Sequence, residues 1–288
     1  MKEQFLKSFD ALDTEIFCVR KNNPLPLYKE VTFHNHDGYE IWLVLNDGAN
    51  YYVESQGKRL ERGDLILISP YAFHYVESKQ HDAVYERVFI NMKESFFSKL
   101  GSSTSMNLKD CFTRTSDHAL NLIHLTEEEI PFYLSLTDQL RANLDEPTSG
   151  SDLMVPALMT QILVFLNRKA TEETHIHFHN DMPKIVKDCI SYINDNLTED
   201  ISMNSISDHL HHNSDYINRR FKVFTGITVA QFILIKRITL AQKYLRQGTP
   251  PSDACYLCGF NNYSNFSRTF SKHTGFSPKQ YQLAQRME

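Results

Sequence analysis

Between Ser202 and Tyr281 one pattern is written twice, and that repeat limits what the chain can fold into. The first copy is MNSISDHLHHNSDYINRRFKVFTG (Met203 to Gly226), and the second is SDACYLCGFNNYSNFSRTFSKHTG (Ser252 to Gly275). Each has a short half-apolar helix, a polar or Gly-bearing break, and a longer helix that ends in Thr-Gly. Arg219/Phe221 and Arg268/Phe270 form matching Arg-x-Phe pairs in the longer helices. A helix, a tight turn and a second helix with Asn, Arg, Ser and Tyr on its outer face is the pattern of a major-groove reader. Between the copies, Val229 to Leu245 repeats apolar residues at helical spacing (Phe232/Ile233, Ile238, Ala241, Leu245). About 17 residues at ~1.5 Å each make a rod near 25 Å. Such a rod suits two recognition helices set one DNA turn, ~34 Å, apart.

Residues 184–285 resemble the C-terminal domain of AraC/XylS-type bacterial transcription regulators. The matching residues are Ile206, Leu210, Tyr216-Ile217-x-Arg219-x-Phe221-Lys222, Gly226, Arg237-Ile238, Ala241, Leu245, Gly259-Phe260, Asn262-x-Ser264-x-Phe266-Ser267-Arg268-x-Phe270, Gly275, Ser277-Pro278 and Tyr281. Ser207 and Cys255 stand where Ala is common in the family, Ala254 where a larger aliphatic is usual, and Ser271 where Lys is frequent. The resemblance implies a double helix-turn-helix that binds promoter DNA, works with RNA polymerase, and most commonly activates.

Charge follows the same division. The net charge of −5 splits into 13 Lys+Arg against 8 Asp+Glu over residues 182–288 (+5) and 17 against 27 over residues 1–181 (−10). A basic reader on an acidic body confines phosphate attraction to one end. No signal-like start and no run of 18 apolar residues occurs, so no membrane partner and a cytoplasmic location are expected. Five scattered cysteines fit reduced thiols. Cys255-x-x-Cys258 has zinc-knuckle spacing but no second pair nearby, and reads as buried apolar surface.

The first 30 residues are mixed, with Pro24 and Pro26 breaking the run. From Val31 to about Asn91 the chain reads as short strands (YEIWLVLN, NYYVES, KRLERGDLILISP, FHYVES, VYERVFINM) with turn chemistry at Asp47-Gly48 and Arg62-Gly63-Asp64. His34-x-His36-x-x-x-Glu40, Gly63-Asp64, Pro70 and His74 resemble a cupin barrel. In metal-binding cupins those three His and one Glu positions hold a divalent cation. The even spacing of His34, His36 and Glu40 puts them on one face of a strand, and the donor set suits zinc, iron, manganese or nickel. In sensor cupins of this regulator family the same positions often line a metal-free pocket. No cofactor and no metal are therefore expected, with a divalent cation at His34, His36, Glu40 and His74 as the alternative. The ligand-binding set is His34, His36, Glu40, Trp42, Tyr52 and His74. Aromatic and polar side chains together point to a carbohydrate as the small-molecule effector.

After Lys93 the sequence predicts a short helix at Glu94–Leu100, a last strand at Ala119–Leu125, and a helix opened by the capping box Thr126-x-x-Glu129 and running to about Leu144. A further helix runs from Asp152 to about Lys169. By resemblance the last two are a dimerisation hairpin, which makes the protein a homodimer. The expected fold is α+β: a cupin-like β-barrel with a helical dimerisation hairpin (1–170), a linker (171–183), and an all-α domain with two helix-turn-helix units (184–288).

In the reader, Ser202 caps the first helix and Asn213 or Ser214 the recognition helix. Ile217 and Phe221 turn inward, which leaves Asp215, Asn218, Arg219 and Lys222 near the groove. Asn262, Tyr263, Ser264, Asn265, Ser267 and Arg268 are the equivalent set in the second unit. Arg pairs with guanine and Asn with adenine; Asp215 repels phosphate and serves chiefly as a helix N-terminal charge. The expected function is a ligand-responsive transcription regulator without catalytic residues. Two alternatives stay open: a metal-dependent cupin enzyme with a DNA-binding tail, and a regulator controlled by a protein partner.

Overall fold

A computed structural model describes residues 9–10, 12, 14–24, 34–78, 84–113, 121–172 and 182–285. The chain divides into two compact units, with the break between Met182 and Pro183. The first unit holds the strands and the second is wholly helical.

The strands in chain order are β1 (Phe9–Asp10), β2 (Ile16–Pro24), β3 (Asn35–His36), β4 (Gly38–Val44), β5 (Ala49–Val53), β6 (Gln56–Arg59), β7 (Asp64–Ile68), β8 (His74–Ser78), β9 (Val84–Lys93) and β10 (Asn121–His124). They form a five-stranded sheet ordered β10-β7-β4-β9-β2, a three-stranded sheet ordered β6-β5-β8, and the short pair β1-β3. Every pairing in the two larger sheets is antiparallel. Period-2 alternation gives the large sheet two differently occupied faces. Tyr39, Ile41 and Leu43 of β4, Leu65 and Leu67 of β7, and Val88, Ile90 and Met92 of β9 enter one core. Val44, Ile66, Ile68, Tyr85 and Leu122 turn the other way, onto Ala49, Tyr51, Val53 and Val76 of the small sheet.

The first core is closed by α2 (Glu129–Asp145) and α3 (Ser151–Glu172), which follow the single turn α1 (Asp110–Thr113). Tyr133, Leu136 and Leu140 of α2 and Leu158, Ile162, Leu163 and Leu166 of α3 line the covered side. At the start of α2 the Thr126 N–H donates to Glu129 Oε2 at 2.9 Å, one half of the expected capping box. Helix α3 continues through Thr171 and Glu172, so the stretch 171–183 assigned to a linker begins inside a helix. Residues 173–181, including His175, His177 and His179, lie outside the described residues.

The strand β2 corrects the sequence reading, which left residues 1–30 without an assigned strand. Ile16–Pro24 pairs along its whole length with β9, from Ile16↔Met92 to Pro24↔Val84. Ile16 and Cys18 reach the core closed by α2 and α3, Phe17 meets the Phe89 ring on the opposite face at 6.0 Å, and the RKNN run that follows Val19 is polar, as an edge strand allows. Pro24 sits at its end, where a missing N–H disturbs no interior ladder.

The helical unit contains α4 (Lys184–Asp195), α5 (Met203–Leu210), α6 (Ser214–Thr225), α7 (Val229–Arg246), α8 (Pro251–Leu257), α9 (Tyr263–Thr274) and α10 (Pro278–Gln285). Val186, Cys189, Ile190 and Ile193 of α4 are buried, as are Ile206 of α5 and Ile217 and Phe221 of α6. Helix α7 is shared lengthwise. Its Phe232 ring meets Phe221 of α6 at 5.3 Å, whereas Ile238, Ala241 and Leu245 enter a separate core with Cys255, Cys258, Phe260, Phe266 and Phe270. Among the described residues no single helix is long and apolar enough to cross a membrane.

Candidate nucleic-acid interface and ligand pocket

The repeat is closer in space than its letters show. Asn213 and Asn262 occupy the N-caps of α6 and α9, and each side-chain oxygen accepts from the first turn: from Asp215 N at 2.8 Å, and from Asn265 N at 2.9 Å. Both helices end at a left-handed glycine, Gly226 (φ 80°) and Gly275 (φ 77°), the residue type suited to that backbone. Thr225 Oγ1 donates to the Phe221 carbonyl at 2.8 Å and Thr274 Oγ1 to the Phe270 carbonyl at 2.9 Å. The next helices open alike, with Thr228 and Gln231 in a capping box and Ser277 bonded to Gln280.

Of the expected contact residues in the first unit, Asp215, Arg219 and Lys222 are exposed on α6, opposite the buried Ile217 and Phe221. Asn218 is not free to read. It is half-buried, and its Oδ1 accepts the Val229 N–H at 3.1 Å, tying α6 to the start of α7. Bidentate pairing with adenine needs that oxygen. In the second unit Tyr263, Ser264, Asn265 and Arg268 are exposed and Ser267 is half-buried. Asn262 spends its oxygen on the cap. The sequence reading missed Tyr216, Arg220 and Val223, which complete the exposed face of α6; the Arg219 guanidinium lies 5.8 Å from the Tyr216 ring centroid. Helical spacing from Arg219 was the available signal for Tyr216 (i−3) and Val223 (i+4), and spacing from Tyr216 (i+4) for Arg220.

In the strand unit, His36, Glu40 and His74 are buried and offer ligand atoms within 4.8 Å of one another. His36 Nε2 lies 2.9 Å and His74 Nε2 3.2 Å from the same Glu40 oxygen. The other nitrogen of each ring faces a backbone carbonyl, His36 Nδ1 that of Gly38 and His74 Nδ1 that of Ala72, both at 2.9 Å. A carbonyl only accepts, so both Nδ1 atoms carry hydrogen, and the Glu40 carboxylate, which also only accepts, is matched at 2.9 Å where His36 Nε2 carries hydrogen as well. Burial pushes the Glu40 carboxyl up, but the His36 and His74 rings outweigh it and hold the group well below the usual carboxylate range. Burial pushes His36 down, and the Glu40 carboxylate outweighs that, leaving the ring above its ordinary value. His34 bridges β8 through the His74 backbone and sets its ring 4.4 Å from the His74 ring, beside the triad.

Trp42 faces the same interior, donating Nε1–H to Tyr85 Oη at 3.1 Å and stacking on Phe89 at 5.1 Å. Tyr52 does not. It pairs with Tyr75, one position off the Val53↔His74 pair, so its ring points to the opposite face, where it stacks on Tyr75 and its hydroxyl donates to Glu77. A shift of one residue along a strand inverts the face, and Tyr51 takes the expected place, parallel to the His74 ring at 6.2 Å. Asn91, opposite Glu40 in register, also turns inward. Tyr51 Oη and Asn91 Oδ1 are buried with no hydrogen-bond partner in the structure.

Two helix-turn-helix units with capped, outward-facing recognition helices define a DNA-binding protein. Residues 206–284 match a family model described as a helix-turn-helix domain. The chain is 23% identical over 247 residues to the uncharacterised regulator YisR of Bacillus subtilis, covering 83% of this chain and 84% of that one. It is 19% identical over 247 residues to the transcriptional activator RhaS of Escherichia coli O81, covering 85% of each. A crystal structure of apo ToxT from Vibrio cholerae aligns over 95% of this chain and 99% of its own, at 16% identity and a TM-score of 0.40. Residues 206–284 are thus a helix-turn-helix domain, and the likenesses along the chain support a DNA-binding transcription regulator of the AraC/XylS type.

Proposed function

We propose that this regulator is an activator that responds to a small polar ligand held between the two sheets of its N-terminal unit. The observation that carries the reading is the pair of buried polar atoms without a hydrogen-bond partner, Tyr51 Oη and Asn91 Oδ1, on the same interior face as Glu40. Buried polar groups are rarely left unsatisfied, and a pocket that supplies them beside aromatic rings is built for a polar guest. With Trp42 and Tyr51 as flat walls, a carbohydrate is the class that fits. The sheets in this reading form a cupin-like barrel. The unit pairs with a second copy through α2 and α3, whose outer surface carries the exposed Phe132, Leu153 and Met154. Activation is supported by the full-length likeness to a protein named an activator; contact with RNA polymerase follows from that mode.

The donor set fits a divalent cation. Donor atoms around a tetrahedral zinc stand about 3.3 Å apart, given ~2.0–2.1 Å bonds. The observed nitrogen–oxygen spacings are 2.9 and 3.2 Å. Ring N–H groups donated to carbonyls fix the tautomer a metal requires. His36, Glu40 and His74 would hold the ion, which would supply a fixed positive charge and an open position for a ligand oxygen.

A thermal-shift screen of the full chain against mono- and oligosaccharides, with and without zinc or manganese, tests the reading. A ligand bound only by the folded state must raise the melting temperature. A sugar that does so, with the shift lost in Tyr51→Phe, supports the pocket. Silence across the panel for sugars and metals alike overturns it.

A further inference from the structure

The two readers share α7, yet the structure ties them together at a second point. Arg237 lies where α7 passes from one core to the other, between Ile235 and Ile238. Its Nε–H donates to the Leu197 carbonyl at 3.0 Å, and its Nη2 donates to the Glu199 carbonyl. Those carbonyls belong to the segment that leads from α4 into the first unit. On the other side stands Gly259, in the turn between α8 and α9 of the second unit. A Cβ placed on Gly259 would sit 2.9 Å from Arg237 Nε, 3.0 Å from its Cζ and 2.9 Å from the Leu197 oxygen. Gly259 also has φ +83°, which L side chains rarely adopt. The lead-in of one unit, the guanidinium and the turn of the other are therefore in direct contact, and only glycine leaves room for it.

We propose that Arg237 is a positioning residue that fixes the angle between the two readers, and so the half-site separation that the protein accepts. A helix joined to two cores can still bend and twist between them. The fork of an arginine, holding two carbonyls in a fixed plane, removes that freedom. Lysine, with one mobile charge, does not reproduce it. A rigid pair of readers gains most from DNA whose half-sites match its span, because the second contact is then made at high effective concentration. Arg237 is half-buried and commits its Nε–H and one Nη2–H to backbone carbonyls, so the part proposed for it in recognition is exerted through geometry.

The inference rests on both units reading DNA, and the experiment separates the two claims. Preferred sequences are first selected by the full-length wild-type protein from a random duplex library. Affinities are then measured for the selected duplex, for each half-site alone, and for duplexes in which 2 or 5 base pairs are inserted between the halves. Wild type that selects no two-part site refutes the double reading itself. Given a two-part site, Arg237→Ala is expected to keep its half-site affinities within about twofold. Its gain from the second half-site should fall by tenfold or more, out of the ~10²–10⁴ that matched linkage gives, and its penalty for inserted base pairs should shrink in step. Arg237→Lys should behave similarly, and Gly259→Ala should too, because its Cβ displaces the guanidinium. Helical content and melting temperature identify a variant that fails to fold, in which case Arg237→Lys carries the test. Equal loss on half-sites and full sites, or an unchanged spacing preference in folded variants, overturns the proposal.

Discussion

The side-chain oxygen of Asn218 accepts a hydrogen bond from the backbone N–H of Val229, 3.1 Å away. That bond joins the recognition helix of the first unit to the first residue of the shared helix, and satisfies one of the N–H groups a helix start leaves open. Asn218→Ala should therefore lower stability by about 1 kcal/mol, the usual scale for one such bond. It should leave base preference at each position unchanged. Denaturant titration beside a binding-site selection checks both halves. A changed preference with unchanged stability would return Asn218 to the groove.

Arg219 and Arg268 occupy equivalent places on α6 and α9, both exposed. Each Arg→Ala variant is expected to lose ~1–3 kcal/mol of binding to the selected DNA and to relax sequence choice in its own half-site. Fluorescence anisotropy on single-base variants of the site gives the answer, and equal loss on every sequence would reassign the residue to phosphate contact.

Metal content tests the triad independently of any sugar. On the reading that the triad holds an ion, protein purified without chelators carries about one equivalent of a divalent metal, and His74→Ala or Glu40→Gln carries little. Elemental analysis decides. Retention of metal in both variants would place the ion elsewhere.

All five cysteines are buried, and burial pushes the Cys18, Cys189 and Cys258 thiols up to about 12. The thiolate is the reactive form, so native protein at neutral pH should resist a thiol reagent that labels every cysteine once guanidinium is added. Fast labelling of Cys255 or Cys258 in the native state would restore a redox or metal role to that pair.

Leu153, exposed to 72%, stands on α3 near Met154, with Phe132 on α2. Leu153→Asp should shift a sedimenting dimer to monomer with an unchanged melting profile at low concentration. A wild-type chain that sediments as a monomer would remove the pairing surface from the proposal.

The helical unit was legible because its signals are local. Helical spacing, Thr-Gly ends and capping residues each act within a turn, and the starts of α5 and α6 follow from Ser202 and Asn213. What could not be read was where a side chain spends its hydrogen bonds. Asn218 and Asn262 look like readers until Val229 and Asn265 are placed beside them. In the strand unit His36, Glu40 and His74 came together as the cupin resemblance implies, with His34 beside them, whereas Tyr52 failed by one position because strand register is fixed by the partner strand and not by the strand itself. The edge strand β2 was missed for a related reason: with one neighbour and a polar tail, it carries half the apolar signal of an interior strand.

The double-faced character of β4 has a mechanical consequence. Glu40 belongs to the triad, while Tyr39 and Ile41, its immediate neighbours, are packed into the core closed by α2 and α3. Among the described residues, only the backbone of β4 separates Glu40 from the side of the sheet that the helix pair covers. A guest that draws Glu40 inward by a fraction of an ångström must draw Tyr39 and Ile41 with it, because a close-packed interior has no slack in which to absorb the motion. With the proposed guest in place, the strand would work as a diaphragm, pressed on one side by chemistry and read on the other as a change of shape.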